Sequence, residues 1–346
     1  MVPSGFRMLS LLALMFAFPV LVILSLAAAL AGCGQPTLPP SPPQVLASNL
    51  PVEAAFGIAV DSTTVYVWPI DPGPVLAIPI DGGTATPVGI QAEAFALAVD
   101  ERRIYWSDGS SILACDKSNC TGSTVLLAAS QLHVLDLAID DTNVYWGTIS
   151  GDANRDLGSI MKVNKNGGVP LDAGGAPLDG GAALDAGATL DENAPVQLAG
   201  AGFPSNVAVD ATYVYWVEMQ APNSGVKRVP IGGGTPSQLA DSDLIGAMGL
   251  ALDADNVYFM NGAGVLYRVS KNGGPPQVML SSLGTALGLE TGGTNLYIGA
   301  DPALVKVPLA GGFASPLATN LGASYIALDA NNVYVAGGDT VLKVAK

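Results

Sequence analysis

A short phrase ending in tyrosine returns seven times along this 346-residue chain: Val65-Tyr66, Ile104-Tyr105, Val144-Tyr145, Val214-Tyr215, Val257-Tyr258, Leu296-Tyr297 and Val333-Tyr334. In six units an aspartate stands five residues earlier, at Asp61, Asp100, Asp140, Asp210, Asp253 and Asp329; the sixth unit has Gly292 there. The steps between tyrosines are 39, 40, 70, 43, 39 and 37 residues. A recurring period near forty restricts the chain to a repeat architecture. Each unit reads as an apolar strand such as Gly57-Ile58-Ala59-Val60, a turn, the tyrosine strand, a third strand such as Leu304-Val305-Lys306-Val307, a Gly-Gly turn, and a last strand such as Pro316-Leu317-Ala318. Short β-branched and aromatic runs between turn residues, with no helical period, are strands. Four strands per forty residues make one propeller blade. The fold expected is all-β: a seven-bladed β-propeller of four-stranded blades over residues 44–346.

Two irregularities fit this frame. After Val341-Leu342-Lys343-Val344 the seventh unit has no outer strand. Gln44-Val45-Leu46-Ala47-Ser48-Asn49-Leu50 matches Ser315-Pro316-Leu317-Ala318-Thr319-Asn320-Leu321, so residues 44–50 are expected to complete the C-terminal blade and close the ring. The 70-residue step holds an insert in the third blade, residues 169–195. It repeats Leu-Asp pairs at 171–172, 178–179, 184–185 and 190–191 among Gly and Ala. Its composition is that of a disordered loop, and its aspartates lack the alternation of a calcium loop.

The aspartate has a structural role that needs no ligand. Its carboxylate can accept from backbone N–H groups about two residues on and close the turn. The tyrosine, with the aromatic that follows it at Trp106, Trp146, Trp216 and Phe259, is expected to pack between blades, its hydroxyl finding a partner.

The N-terminus is of another kind. Arg7 precedes an apolar run, Leu9 to Leu30, which ends in Leu30-Ala31-Gly32-Cys33. This resembles a bacterial lipoprotein signal with its lipobox. The resemblance implies a signal peptide over residues 1–32, palmitate-type acylation of Cys33, and membrane attachment through the lipid. The run is also long enough to span a bilayer uncleaved. Residues 33–43 carry the proline-rich stretch Pro36 to Pro43, a tether that in polyproline II extends about 3.1 Å per residue; a docking peptide is the other reading. Gly34 after the cysteine implies the outer rather than the inner membrane of a bacterial envelope, on the extracytoplasmic side.

Charged residues are 12% of the chain and the formal net charge is −15. Phosphate binding needs clustered Lys and Arg, so nucleic acid is not an expected partner. Cys115 and Cys120 flank a four-residue tip and are expected to form a local disulfide, with free thiols as the other reading; a zinc site lacks further ligands, since His133 is the chain's one histidine. That same scarcity removes a nucleophilic triad. Asp152, Asn154 and Asp156 alternate as calcium ligands do, but Gly158 falls one place late and Val163 stands where glutamate is wanted. No catalytic residue, metal or cofactor is assigned.

Val99-Asp100-Glu101-Arg102-Arg103-Ile104-Tyr105-Trp106-Ser107-Asp108 resembles the YWTD repeat of lipoprotein-receptor propellers, which are six-bladed; only this unit keeps an aspartate two places after the tryptophan. Across residues 44–346 the chain is similar to bacterial lipoproteins with repeats such as Val209-Asp210-Ala211-Thr212-Tyr213-Val214-Tyr215-Trp216, and more distantly to TolB-like and NHL propellers. The resemblance implies binding or scaffolding and carries no catalytic residue.

Departures from the repeat mark candidate residues. Seven places before each tyrosine stand Ala59, Ala98, Ala138, Ala208, Ala251, Glu290 and Ala327; nine places before stand Gly57, Ala96, Asp136, Asn206, Gly249, Gly288 and Tyr325. Asp136, Asn206, Glu290 and Tyr325 are the polar exceptions on strands nearest the axis. They mark either a channel that binds a cation or small polar ligand, or degeneration of the repeat. The expected role is a protein-interaction platform; a metal-dependent propeller hydrolase or lactonase and a glycan-binding module are the alternatives. Oligomeric state is left open. Labelled palmitate should enter the wild-type protein and not Cys33→Ala; equal incorporation would refute lipidation at that cysteine.

Overall fold

The computed structural model describes residues 42–346 apart from 51–54, 70–72, 89–93, 150–157, 172–193, 220–223, 242–248 and 323. The signal segment, Cys33, nearly all of the tether, most of the insert and the Asp152–Asp156 motif thus lie outside the described residues. Among the described residues, no helix is long and apolar enough to cross a membrane.

Seven antiparallel sheets form a ring, one per tyrosine unit. Blade 1 runs from its inner strand Ala55–Val60 through Thr64–Pro69 and Leu76–Pro79 to the outer Thr86–Pro87. Blade 4 repeats this with Pro204–Val209, Tyr213–Glu218, Gly225–Pro230 and Ser237–Asp241. Blade 7 has only three consecutive strands, Tyr325–Leu328, Asn332–Gly337 and Thr340–Ala345; its outer place is taken by Gln44–Ala47, with Gln44 opposite Lys343 and Val45 opposite Leu342. The ring therefore closes as the repeat requires, with Leu50 N–H donating to Asp339 O at 3.1 Å.

Blade 2 departs from the common plan. Its outer strand Val125–Ala128 carries a fifth strand, Val169–Pro170, with Val169 opposite Leu126. The first two residues of the insert thus cross from blade 3 to its neighbour.

Seven apolar clusters fill the seven seams. Each joins a repeat tyrosine to the residue after the next blade's tyrosine: Tyr66 with Trp106, Tyr105 with Trp146, Tyr145 with Trp216, Tyr215 with Phe259, Tyr258 with Ile298, Tyr297 with Val335 and Tyr334 with Val67. Successive residues on a strand face opposite sides, so one dipeptide serves both neighbours.

The two ends of the ring differ. Antiparallel pairing places the first-to-second and third-to-fourth turns at one end, and the second-to-third turns and blade connections at the other. Six first-to-second turns have three residues, such as 61–63, 210–212 and 329–331, each opening on the repeat aspartate. At the opposite end the second-to-third turns range from two residues, 301–302, to nine, 149–157. Connections between blades range from two, 202–203, to eight, 129–136.

The closing strand offers a paired test. Leu46 is 4% exposed and Val45 56%. Leu46→Ala should cost about 2–5 kcal/mol in denaturant unfolding and Val45→Ala less than about 1 kcal/mol; equal costs would contradict a packed closing strand.

Candidate functional site

The repeat aspartate and tyrosine form one hydrogen-bonded unit. In all six cases Oδ1 accepts from the backbone N–H groups two and three residues on, at 2.6–3.0 Å. Oδ2 accepts from the hydroxyl of the same unit's tyrosine at 2.6–3.1 Å. The tyrosine's partner is thus the turn aspartate itself. Burial works against ionisation of these carboxyls, but their donors outweigh it: at Asp100 the amides of Arg103 and Arg102, with Lys165 and Tyr105, bring the pKa down to about 2. Its contribution to stability is therefore complete above the ordinary carboxylate range and is lost as pH falls toward 2.

Lysines from the following blade join this unit. Lys165 Nζ lies 3.0 Å from Asp100 Oδ2 and Lys271 Nζ 2.8 Å from Asp210 Oδ2, while Lys117 pairs with Asp61. Each also stands over the tyrosine ring of the unit it joins, 5.2–5.5 Å from the centroid. Third-strand cations form a second set. Lys162 donates to Ile231 O at 2.7 Å, Arg268 to Leu309 O at 3.1 Å, Lys343 to Ile80 O at 2.9 Å, and Arg228 to Lys271 O. Each reaches the carbonyl just past the next blade's third strand. In blade 2 a second-strand residue, Arg103, does the same to Lys165 O at 2.8 Å. The sequence signal was the Lys or Arg that faces each tyrosine in blades 3 to 7, as in Tyr145 opposite Lys162 and Tyr334 opposite Lys343. Sequence reasoning passed over it, as it did the buried Glu218, which accepts from Gly202 N–H and Phe203 N–H at 2.9 and 2.5 Å.

The four axial candidates separate. Asp136 accepts from Leu137 N–H at 2.9 Å and, across the seam, from Val207 N–H of blade 4 at 2.7 Å. Asn206 has φ 47° and sits where the inner strand's register slips between Ser205 and Ala208. Asparagine tolerates this left-handed backbone. Asn206 and Asp136 thus belong to one blade 3–blade 4 tie. Tyr325 is half-buried against the apolar cluster between blades 7 and 1.

Glu290 is different. It faces Tyr297 across the strand pair, as the alanines face their tyrosines, but its side chain is solvent-exposed. Protein surrounds it nonetheless, as it does any group projecting into a propeller's central channel. This confinement, with the like charge of Asp136, raises its pKa to about 7, against the opposing charge of Lys346. Asp136 is raised to about 6 by burial, held back by its two amide donors. Lys346 from blade 7 occupies the space left by the missing sixth aspartate: a Cβ on Gly292 would lie 2.8 Å from its Nζ, which stands 5.3 Å from the Tyr297 ring centroid and donates to Asp329 O at 2.5 Å. The sixth unit has in effect moved its carboxylate from the turn to the channel wall.

Cys115 and Cys120 form a disulfide, with Cα atoms 4.8 Å apart. His133 Nδ1 is 3.3 Å from Ile149 O. Among the described residues, no group of three or more His, Cys, Asp or Glu side chains is placed to hold a metal ion.

No protein-family model and no curated protein sequence matches the chain. Solved propellers resemble it in fold. A puromycin-hydrolysing peptidase of Mycobacterium tuberculosis superposes with a TM-score of 0.60 at 16% identity, over 89% of this chain and 55% of that one. The extracellular domain of a hybrid two-component system protein of B. thetaiotaomicron gives 0.59 at 11%, over 88% and 40%. A calcium-binding protein, regucalcin, of Agrobacterium tumefaciens gives 0.52 at 16%, over 88% and 94%. At these identities the likeness is one of fold.

Glu290 carries a stability test. A carboxyl whose pKa is raised on folding binds its proton more tightly in the folded state, so its stability contribution falls as pH rises from the ordinary carboxylate range through about 7. Solvent in the channel screens the charge, so Glu290→Gln should stabilise by only about 1 kcal/mol at pH 8 and by almost nothing at pH 4. Thermal melts at the two pH values check this, and a pH-independent difference would contradict it.

Proposed function

We propose that this chain is a membrane-anchored extracytoplasmic lipoprotein whose propeller serves as a protein-interaction platform, with the binding surface at the end of the ring opposite the aspartate turns. The observation that carries the reading is the contrast in charge between the two ends among the described residues. The aspartate-turn end combines six three-residue turns with third-to-fourth connections of six to 31 residues. The other has loops of two to nine residues on the same framework. Loops of varied length on a rigid scaffold are where recognition concentrates.

Charge distinguishes the two ends. All Lys and Arg among the described residues lie on second or third strands or at the aspartate-turn end; the opposite end carries Asp108, Asp301 and Asp339 and none of them. Among the described residues, that end lacks the cations a phosphate backbone needs and suits a neutral or basic protein surface.

The hydrolase reading rests on Glu290, a channel carboxyl with a pKa near neutrality and the Asp136 charge nearby. The glycan reading has less behind it. The seven repeat tyrosines are buried, and the exposed large aromatic among the described residues is Phe313, on the aspartate-turn end.

Photo-crosslinking in native membranes distinguishes these. Crosslinkers placed at Leu132 and Ser282 should give a reproducible protein adduct, while those at Thr63 and Asn331 give none. Adducts confined to Thr63 and Asn331 would reject the choice of end. Ester or lactone hydrolysis abolished by Glu290→Gln would replace the platform with the enzyme.

A further inference from the structure

The seam between blades 1 and 2 is secured unlike its neighbours. Blade 1 has Ala77 opposite Tyr66, where blades 3 to 7 carry Lys or Arg, so it has no third-strand cation to reach the carbonyl of blade 2. In its apolar cluster the indole N–H groups of Trp68 and Trp106 are buried and find no acceptor among the described groups, a costly arrangement. Among the described residues, the side-chain link across this seam is Lys117 of blade 2, paired with Asp61 and standing over the Tyr66 ring of blade 1.

Lys117 differs from Lys165 and Lys271 in one respect: it lies inside the loop closed by Cys115 and Cys120. The adjacent Asp116 accepts from Arg103 Nε at 3.0 Å, and Arg103 in turn reaches Lys165 O of blade 3. The loop thus has one arm on blade 1 and another leading to blade 3. Cys115 is wholly buried and Cys120 is 5% exposed, on the wall of a cleft it shares with Asp61, Thr63, Tyr66, Lys117 and Asn119.

We propose that the Cys115–Cys120 disulfide is a redox-controlled lock on the blade 1–blade 2 seam. Oxidised, it holds Lys117 on Asp61; reduced by a small dithiol entering through the cleft, it releases Lys117 and loosens the Asp61 turn. The attacking thiolate bonds to Cys120 Sγ, the S–S bond breaks, and Cys115 leaves as a thiolate and takes a proton. The reagent's second thiol then displaces Cys120. Two electrons and two protons pass to the cysteine pair, and the reagent ends as a cyclic disulfide. The lock depends on the fold and on the loop, not on the binding role proposed above.

Hydrogen exchange on the full chain tests it. The amides of Thr63 and Thr64 each donate to Asp61 Oδ1 at 2.8 Å; those of Thr212 and Tyr213 bond Asp210 in the same way, beside a lysine with no disulfide. Dithiothreitol should speed exchange at Thr63 and Thr64 by on the order of tenfold, the worth of one charge-assisted hydrogen bond, and leave Thr212 and Tyr213 unchanged. Oxidised Lys117→Met should show the same acceleration, with no further change on reduction. The proposal fails if both blades respond alike, if neither does, or if reduction acts undiminished in Lys117→Met. It fails equally if mass analysis after thiol alkylation finds the bond unreduced in the folded protein.

Discussion

The bond from six of the seven repeat tyrosines to the aspartate of their own turn is the interaction on which the ring depends. It does three things with one carboxylate. It satisfies two turn amides, it gives a buried phenol its acceptor, and it fixes the tyrosine ring against the next blade. A phenol buried between sheets without a partner would cost what the packing gains. Placing the acceptor five residues upstream, on the same hairpin, makes six of the seven blades self-sufficient in this respect before they meet a neighbour.

Cations then join the finished blades. Lys165 and Lys271 neutralise the aspartates from the following blade, and Lys162, Arg228, Arg268 and Lys343 reach forward to carbonyls. Most of the chain's few positive charges are consumed in these seams. The acidic balance is therefore partly a consequence of construction: carboxylates remain on the outside because the cations were placed between blades.

What could be read from the sequence divides along the same line. Contacts within a unit recur at a fixed offset, so the aspartate turn, the four strands and the closing strand Gln44–Ala47 were all visible as repeated text. Contacts between units join residues such as Lys165 and Asp100 or Lys162 and Ile231, which recur at set places in their units but belong to different units. Their spacing along the chain shifts with every loop length, so the recurring cation could be seen as text but its partner in the next unit could not. Asp136 and Asn206 show the cost of this. Each looked like an exception to a small-residue position, and only the fold reveals that Asp136 holds the amide that Asn206's left-handed backbone turns toward it. Glu290 was legible as an exception for a better reason: the same unit had lost its aspartate, and Lys346 serves both changes. Val169–Pro170 pairs with the previous blade through backbone groups, which leave no mark in side-chain identity.

Each forward-reaching cation binds the blade after it and none spans two seams, so the ring behaves like a closed chain of nearest-neighbour links. In an open stack, one broken link separates the array into two pieces. In a ring it yields a crescent with every blade still attached, and a second break is needed before any blade is freed. Fault tolerance of this kind explains how a seam can go without its third-strand cation at Ala77. A circular arrangement allows one joint to be weaker, or to answer to conditions outside the molecule, while the other six keep the blades in register.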